Sequence, residues 1–541
     1  MPPSYLTTCN TVFEWGYTSG KVYSDPFNEV TLDVVITAPD GTESVIPAFW
    51  AGGQAWGVRF AASQAGRYSF CTVCSDPANA ALHEQRGTVV VDPYLGSNPL
   101  LKHGPLRVSK DRNYFEHADG MPFFWLGDTW WLGFTSRLKW PDEFAQLIDD
   151  RKAKGFTLIQ LVAGLYPDMA PFDPRGANAG GFAWEADFAR INPAFFDHVD
   201  LKLRHLVRNG LVPLLVAAWG YYLPIMGVDK MQQHWRYLVA RYGAYPVVWC
   251  LAGETLMNAY QFNLPPLKRQ QKMNWNRLKW SEVAQYLRQI DPYHRPLTTH
   301  PMAFSHSALE VEDINLLDFS MIQTAHGGQS LAVTAAQKVS EFAATSPLRP
   351  LVNGEGFYEG ILGGAWEDLQ RFCFWSSMLS GTTGYTYGAN GLWQVNRVDD
   401  PYGPSPHGMS WGVLNWEQAY RLPGSAQLGL AKDLLLRYSW WRLTPHPEWV
   451  ETRPEAALQS YAAGIPGELR MIYFPSPLFP WETPARILAL EPGINYLAYF
   501  FNPITGDTYA AGYARANAEG AWVVPQPPVG QDLVLVLEKT R

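Results

Sequence analysis

Two glutamates carry the chemistry that this sequence offers. Glu355 stands in Arg349-Pro-Leu-Val-Asn-Gly-Glu-Gly-Phe-Tyr-Glu-Gly360, where a short apolar run stops. Gly354 and Gly356 flank it, and Tyr358 and a second acid, Glu359, follow. Flanking glycines permit positive φ and close approach of a ligand. Glu254 ends a second apolar run, Tyr245-Pro-Val-Val-Trp-Cys-Leu-Ala-Gly-Glu254, and also follows a glycine. Two opposed carboxyls are the equipment of glycoside hydrolysis. One stays protonated and gives its proton to the leaving oxygen, while the other stays ionised and attacks the anomeric carbon or activates water. Burial and mutual repulsion split their pKa values. The competing reading makes Glu254 a helix cap and Glu355 an ion-pair partner, and the matched strand-end positions weigh against it.

Such a pair needs a scaffold that brings distant strand ends to one face. Candidate strands, several of them near-continuous apolar runs, end at Asp128, Val162, Ala218, Glu254, His300, Gln323, Glu355 and Tyr387, and helical segments such as Pro141–Lys154 and Pro193–Asn209 fall between them. Strands that are apolar along their length, alternating with helices, predict parallel strands buried on both faces. The fold class expected is α/β, a (β/α)8 TIM barrel over residues 96–445. A doubly wound sheet is the rival, but Gly127-Asp-Thr-Trp-Trp131 stands where its glycine fingerprint belongs. Residues 1–95 read as an N-terminal β-sandwich, with strands such as Val30–Ile36 and a turn at Pro39-Asp-Gly41. Residues 446–541 read as a small C-terminal β-sandwich.

In a barrel the strand ends form one ring, which here holds Asp128, Gln160, Trp219, Glu254, His300, Gln323, Glu355 and Tyr387. Asp128 is a ligand for a sugar hydroxyl or the cap of the next helix, and His300 binds a hydroxyl or is a structural imidazole. Trp130, Trp219, Tyr221, Tyr358, Tyr387 and Trp393 are candidate stacking surfaces, and Asn390 lies in the glycine-rich loop before Trp393. Aromatic residues make up 14% of the 541 residues, with 23 Trp, 27 Tyr and 27 Phe. That excess suits sugar rings, whose C–H faces stack on indole and phenol.

Other classes have little support. The net charge is −8 and no basic run occurs, which speaks against nucleic acid and anionic membranes as partners. No His-x-His or His-Glu-x-x-His spacing occurs, and Cys71-Thr-Val-Cys74 lacks a partner pair, so neither a metal nor another cofactor is expected. No apolar run reaches the roughly 18 residues of a membrane span. The start, Met-Pro-Pro-Ser-Tyr-Leu, lacks a basic, then apolar leader, and with five cysteines it predicts a cytoplasmic location. A homo-oligomer is compatible with the sequence.

Phe124-Trp-Leu-Gly-Asp-Thr-Trp-Trp131, Val247-Val-Trp-Cys-Leu-Ala-Gly-Glu254, Pro350–Gly360 and Gly384-Tyr-Thr-Tyr-Gly-Ala-Asn-Gly391 resemble the motifs of the apiosidase-like glycoside hydrolases. Ala48-Phe-Trp-Ala-Gly-Gly53 and Trp56-Gly-Val-Arg-Phe60 resemble the β-sandwich that often precedes that barrel. The resemblance implies a glycosidase acting on a terminal sugar, with catalytic carboxyls at Glu254 and Glu355. The family usually has Asp after Gly-Gly at the end of strand four, where this chain has Ala252-Gly253-Glu254. The extra methylene moves the acid by about 1.5 Å, so the apiose of characterised members is not carried over. Two long Glu side chains predict a short carboxyl separation and retention of anomeric configuration. The alternative is a non-catalytic carbohydrate-binding protein on the same scaffold.

Overall fold

The computed structural model describes residues 2–257, 264–345, 349–406, 408–452, 458–475 and 484–540. All eight expected barrel strands are present: β1 Trp125–Thr129, β2 Leu158–Leu165, β3 Val212–Ala218, β4 Val248–Cys250, β5 Leu297–Thr298, β6 Ser320–Gln323, β7 Leu351–Glu355 and β8 Gly384–Tyr387. They pair in parallel in the order β5-β4-β3-β2-β1-β8-β7-β6, and nearly every strand residue is buried, as strands covered on both faces require. Helices α1 Asp142–Ala153, α2 Pro193–Arg208, α3 Val228–Tyr242, α4 Pro266–Ile290, α5 Gln329–Thr345, α6 Glu367–Leu379 and α7 Pro423–Leu435 surround the sheet. Local signals set their limits. The Asn192 side chain caps α2 with Pro193 in its first turn, and α1 opens on Asp142 and Glu143 and closes on Arg151 and Lys152, matching its dipole.

The connection from β5 to β6 carries two 3-10 turns, Ser307–Leu309 and Ile314–Leu316, in place of a helix. The short strand Ser305–His306 runs antiparallel to β6 there. Ser307 closes the seam: its hydroxyl donates to the Thr299 carbonyl (2.6 Å) and accepts from Met321 N (2.8 Å). A three-stranded sheet over 106–123, not read from the sequence, sits at the opposite end of the barrel, where Phe115 packs on Trp125 and Phe319.

The N-terminal strands form a five-stranded sheet and a three-stranded sheet, and the C-terminal ones a six-stranded sheet with a two-stranded ribbon. Both are joined to the barrel by buried charge. Arg59 pairs with Asp200 on α2 and donates to the Arg241 carbonyl (2.7 Å), and Arg371 on α6 makes a two-pronged pair with Asp532 (2.7 and 2.8 Å). No described helix is long and apolar enough to cross a membrane.

Candidate active site

A bulge aims Glu355. Ile322 on β6 pairs with Asn353 on β7, but the next residue, Gln323, pairs with Glu355, so Gly354 is an extra residue in β7. Asn353 points outward, where its Nδ2 donates to Ser377 Oγ on α6 (3.0 Å). Regular alternation would send Glu355 the same way, and the bulge turns it into the mouth. The glycines beside it do not have positive φ. They are required by packing instead: a Cβ on Gly354 would lie 2.3 Å from Met321 Cγ, and one on Gly356 would lie 2.0 Å from the Tyr385 hydroxyl.

Glu355 is buried among donors. Its Oε1 accepts from Gln323 Nε2 (3.0 Å) and His326 Nε2 (2.8 Å), and its Oε2 lies 3.0 Å from His300 Nε2. His300 Nδ1 faces the Pro301 carbonyl at 3.1 Å. Its Nε2 thus lies within ion-pair distance of the Glu355 carboxylate. Burial alone would lower the His300 pKa, but the Glu355 carboxylate outweighs it and the net shift is upward. Burial likewise works to raise Glu355, yet the two imidazoles hold it well below the usual carboxylate range.

Glu254 follows β4 in the left-handed region, at φ 41°. Gly253 brings it there, since the Trp219 indole lies where a Cβ of residue 253 would be, 2.1 Å from Cε3. Trp219 Nε1 donates to Glu254 Oε2 (3.2 Å), and Gln323 Nε2 donates to Glu254 Oε1 (3.3 Å). Gln323 thus bridges the two carboxyls. Burial raises the Glu254 pKa, the Glu355 charge adds to that rise, and His300, Trp219 and Gln323 offset part of it. The two carboxyls are thus shifted in opposite directions, Glu254 upward and Glu355 downward.

Aromatic side chains wall this pair. The Trp131 ring lies 5.4 Å from that of Trp219 and 5.6 Å from His300, both edge-on, and Trp131 Nε1 donates to the Tyr358 hydroxyl (2.9 Å). Tyr358 packs on His326 at 4.2 Å and lies 6.3 Å from Trp393. Gln323 Oε1, His326 Nδ1 and Trp393 Nε1 are buried without a hydrogen bond among the described residues. Uncommitted polar atoms on aromatic walls suit a ligand rich in hydroxyls.

Residues 109–442 match the family described as "Apiosidase-like, catalytic domain". The chain belongs to this family. It is a glycosidase, with a carbohydrate as its substrate class. Residues 8–75 match a domain of unknown function, DUF5060. No curated protein matches the sequence. Among solved structures, the fold is similar to a putative glycoside hydrolase from Bacteroides vulgatus (TM-score 0.69, 15% identity, covering 99% of this chain and 100% of that one). It is also similar to a family 5 glycoside hydrolase from the same organism (TM-score 0.66, 22% identity, 82% and 94%). A third structure, titled only as a glycoside hydrolase, gives TM-score 0.66 at 21% identity, covering 82% and 98%. At these identities the likeness is one of fold.

Within this apiosidase-like barrel, Glu254, Glu355, Trp219, His300, Gln323, Tyr358 and Trp393 converge. Asp128, Trp130 and Tyr387 do not join them. Thr129 faces the barrel interior, where Gln160 Nε2 donates to it (3.4 Å), so alternation sends Asp128 and Trp130 outward. Asp128 accepts from Arg151 Nε (2.5 Å), Trp130 Nε1 (2.6 Å) and Thr129 N (2.9 Å), and both ion-pair partners are fully buried. Tyr387 donates to Glu359 Oε2 (2.5 Å) in the same layer between sheet and helices. Tyr221 donates to the carbonyls of Tyr166 and Met169 (2.8 and 2.6 Å) and pins the loop after β2. Asn390 accepts from Gln394 Nε2 (3.1 Å) inside the loop after β8.

Sequence reasoning missed Trp131 and His326. The same alternation that turns Trp130 outward brings Trp131 inward, so that signal was present. His326 stands three residues beyond the end of β6, before Gly327-Gly328; a loop histidine next to glycines was the available cue.

Proposed function

We propose that this glycosidase removes a terminal sugar by a retaining double displacement, with Glu355 as nucleophile and Glu254 as general acid and then base. The single amide of Gln323 carries this reading. One Nε2 within 3.3 and 3.0 Å of an oxygen on each carboxyl keeps those oxygens closer than the about 6.5 Å at which inverting spacings begin. Hydrogen atoms spread by about 120° on that amide would put the oxygens about 5.5 Å apart, the retaining distance.

The electrostatics support the same division of labour. The ionised Glu355 attacks the anomeric carbon while protonated Glu254 gives its proton to the departing oxygen. Glu254, now a carboxylate, takes a proton from the water that releases the sugar. His300 and His326 hold the nucleophile in place, Trp219 orients the acid, and Trp131, Tyr358 and Trp393 shape the sugar pocket. We also read three units, residues 1–95, 96–445 and 446–541, with the β units packed on the barrel.

Kinetics of Glu355→Gln and Glu254→Gln on nitrophenyl glycosides test the roles. Glu355→Gln loses several orders of magnitude on every substrate. Glu254→Gln loses least where the leaving group needs no proton. Equal losses for good and poor leaving groups in Glu254→Gln would remove its acid role.

A further inference from the structure

We propose that Glu310, a buried carboxylate in the connection from β5 to β6, is a positioning residue that holds the Glu254 carboxyl where it can protonate the leaving oxygen; this rests on the acid role given above to Glu254. Glu310 is 1% exposed and directly follows the 3-10 turn Ser307–Leu309. Its Oε2 accepts from Leu256 N (3.2 Å), two residues after Glu254. Its Oε1 accepts from Met302 N (3.3 Å), two residues after His300, and from the Ser305 hydroxyl (2.8 Å). One carboxyl therefore ties the loop that carries the acid to the loop that carries the imidazole beside Glu355.

The acid needs such a tie. At φ 41° Glu254 has a strained backbone, which persists only where the neighbouring chain is fixed. Before it, Gly253 N donates to the Ala218 carbonyl (2.9 Å), and after it Thr255 N donates to the His300 carbonyl (3.1 Å). Leu256 N is the next donor, and its acceptor is the Glu310 side chain. The loop after β5 also reaches the amide that bridges the two carboxyls, because Phe304 N donates to the Gln323 carbonyl (2.9 Å). Glu310 is thus bonded within two residues of both Glu254 and His300, and through Ser305 to the turn that meets Gln323.

A carboxylate is a costly way to fill this position. Its three bonds come from two backbone amides and a hydroxyl, all of them neutral donors. Burial pushes the Glu310 pKa up to about 7, and the bonds from Ser305, Met302 and Leu256, with the charge of Arg277, offset part of that rise. Arg277 itself spends its Nε on the Leu309 carbonyl (2.8 Å). An apolar side chain would fill the same space without burying a charge. What Glu supplies is a fork of two oxygens, each taking a backbone N–H from a different loop of the site.

The test is kcat/KM of the full chain on the dinitrophenyl, nitrophenyl and phenyl glycosides of the sugar it releases fastest from a nitrophenyl panel. In Glu310→Gln the amide has one oxygen and one NH2, so Leu256 N or Met302 N meets a donor and the tie is cut in either orientation. Glu310→Gln loses about 10- to 100-fold on the phenyl glycoside, whose leaving oxygen needs a proton, and less than about threefold on the dinitrophenyl glycoside. Ser305→Ala, at a half-buried hydroxyl, shows a smaller loss in the same order. Equal losses on the two glycosides, the mark of a merely structural defect, or no loss at all in Glu310→Gln overturn the positioning role. Where Glu310→Gln does not fold, the same results in Ser305→Ala overturn it. Glu254→Gln separates the two levels. Its loss concentrated on the phenyl glycoside, without that order in Glu310→Gln, removes the role of Glu310 alone. No such order in Glu254→Gln, or release from no member of the panel, removes the acid role and this one with it.

Discussion

His326 Nε2 lies 2.8 Å from Glu355 Oε1 across 29 residues of chain. An ionised carboxylate only accepts, so the imidazole carries the proton at Nε2. Replacing His326 by Ala removes a hydrogen bond to charge worth about 1.5–3 kcal/mol, or about 10- to 150-fold in kcat/KM if it is spent on the transition state. The Glu355 pKa then rises and the acid limb of the pH profile moves to higher pH. His326→Gln, which keeps a donor, restores part of the rate. An unmoved acid limb in His326→Ala would show that the imidazole does not hold the nucleophile.

The opposed shifts of the two glutamates set the shape of that profile. Glu355 must be ionised and its pKa is depressed, so activity persists below the ordinary carboxylate range and fails as pH falls through the lowered value. Glu254 must be protonated and its pKa is raised, so activity fails as pH rises through a value above the ordinary Glu range. Glu254→Gln removes this basic limb. A basic limb unchanged in that variant would assign it to another group.

Gly354 is the residue on which the aim of Glu355 depends. In Gly354→Ala the new methyl meets Met321 at 2.3 Å. Overpacking of this kind costs about 1–3 kcal/mol, and the shift in β7 moves the carboxylate, so kcat falls with the melting temperature. Met321→Ala in the same protein makes room and recovers stability. Thermal unfolding of the single and double variants checks this, and a Gly354→Ala protein with wild-type stability and rate would contradict it.

The C-terminal unit is tied to α6 by Arg371 and Asp532, a buried and doubly bonded pair. Removing one partner of such a pair costs about 3–5 kcal/mol because the other stays charged and buried. Arg371→Ala therefore lowers the unfolding midpoint, and Arg371→Met costs less. Limited proteolysis of the native wild-type chain leaves residues 1–95 attached, and clean release of that segment would contradict tight packing of the β units.

The eight strands were legible because several are near-continuous apolar runs and the rest fall at the same strand-helix rhythm, and the two glutamates because they end apolar runs after glycines. Less legible was anything set by orientation. Asp128 stands one residue before the end of β1 and Glu355 at the end of β7, but Asp128 keeps the regular alternation and faces Arg151, while a one-residue bulge turns Glu355 inward. A bulge leaves no mark in the sequence beyond a glycine that has several explanations. In place of the helix expected between β5 and β6 stand two short 3-10 turns, and no periodicity announces them. His326 lay outside any strand, so no pattern placed it.

The central claim is a covalent step at Glu355 with Glu254 on the opposite side of the anomeric carbon. Proton NMR of the first sugar released from a nitrophenyl glycoside tests it most directly, read before mutarotation. The predicted product has the anomeric configuration of the substrate; a first product of inverted configuration would contradict the nucleophile role of Glu355 and the short carboxyl separation together.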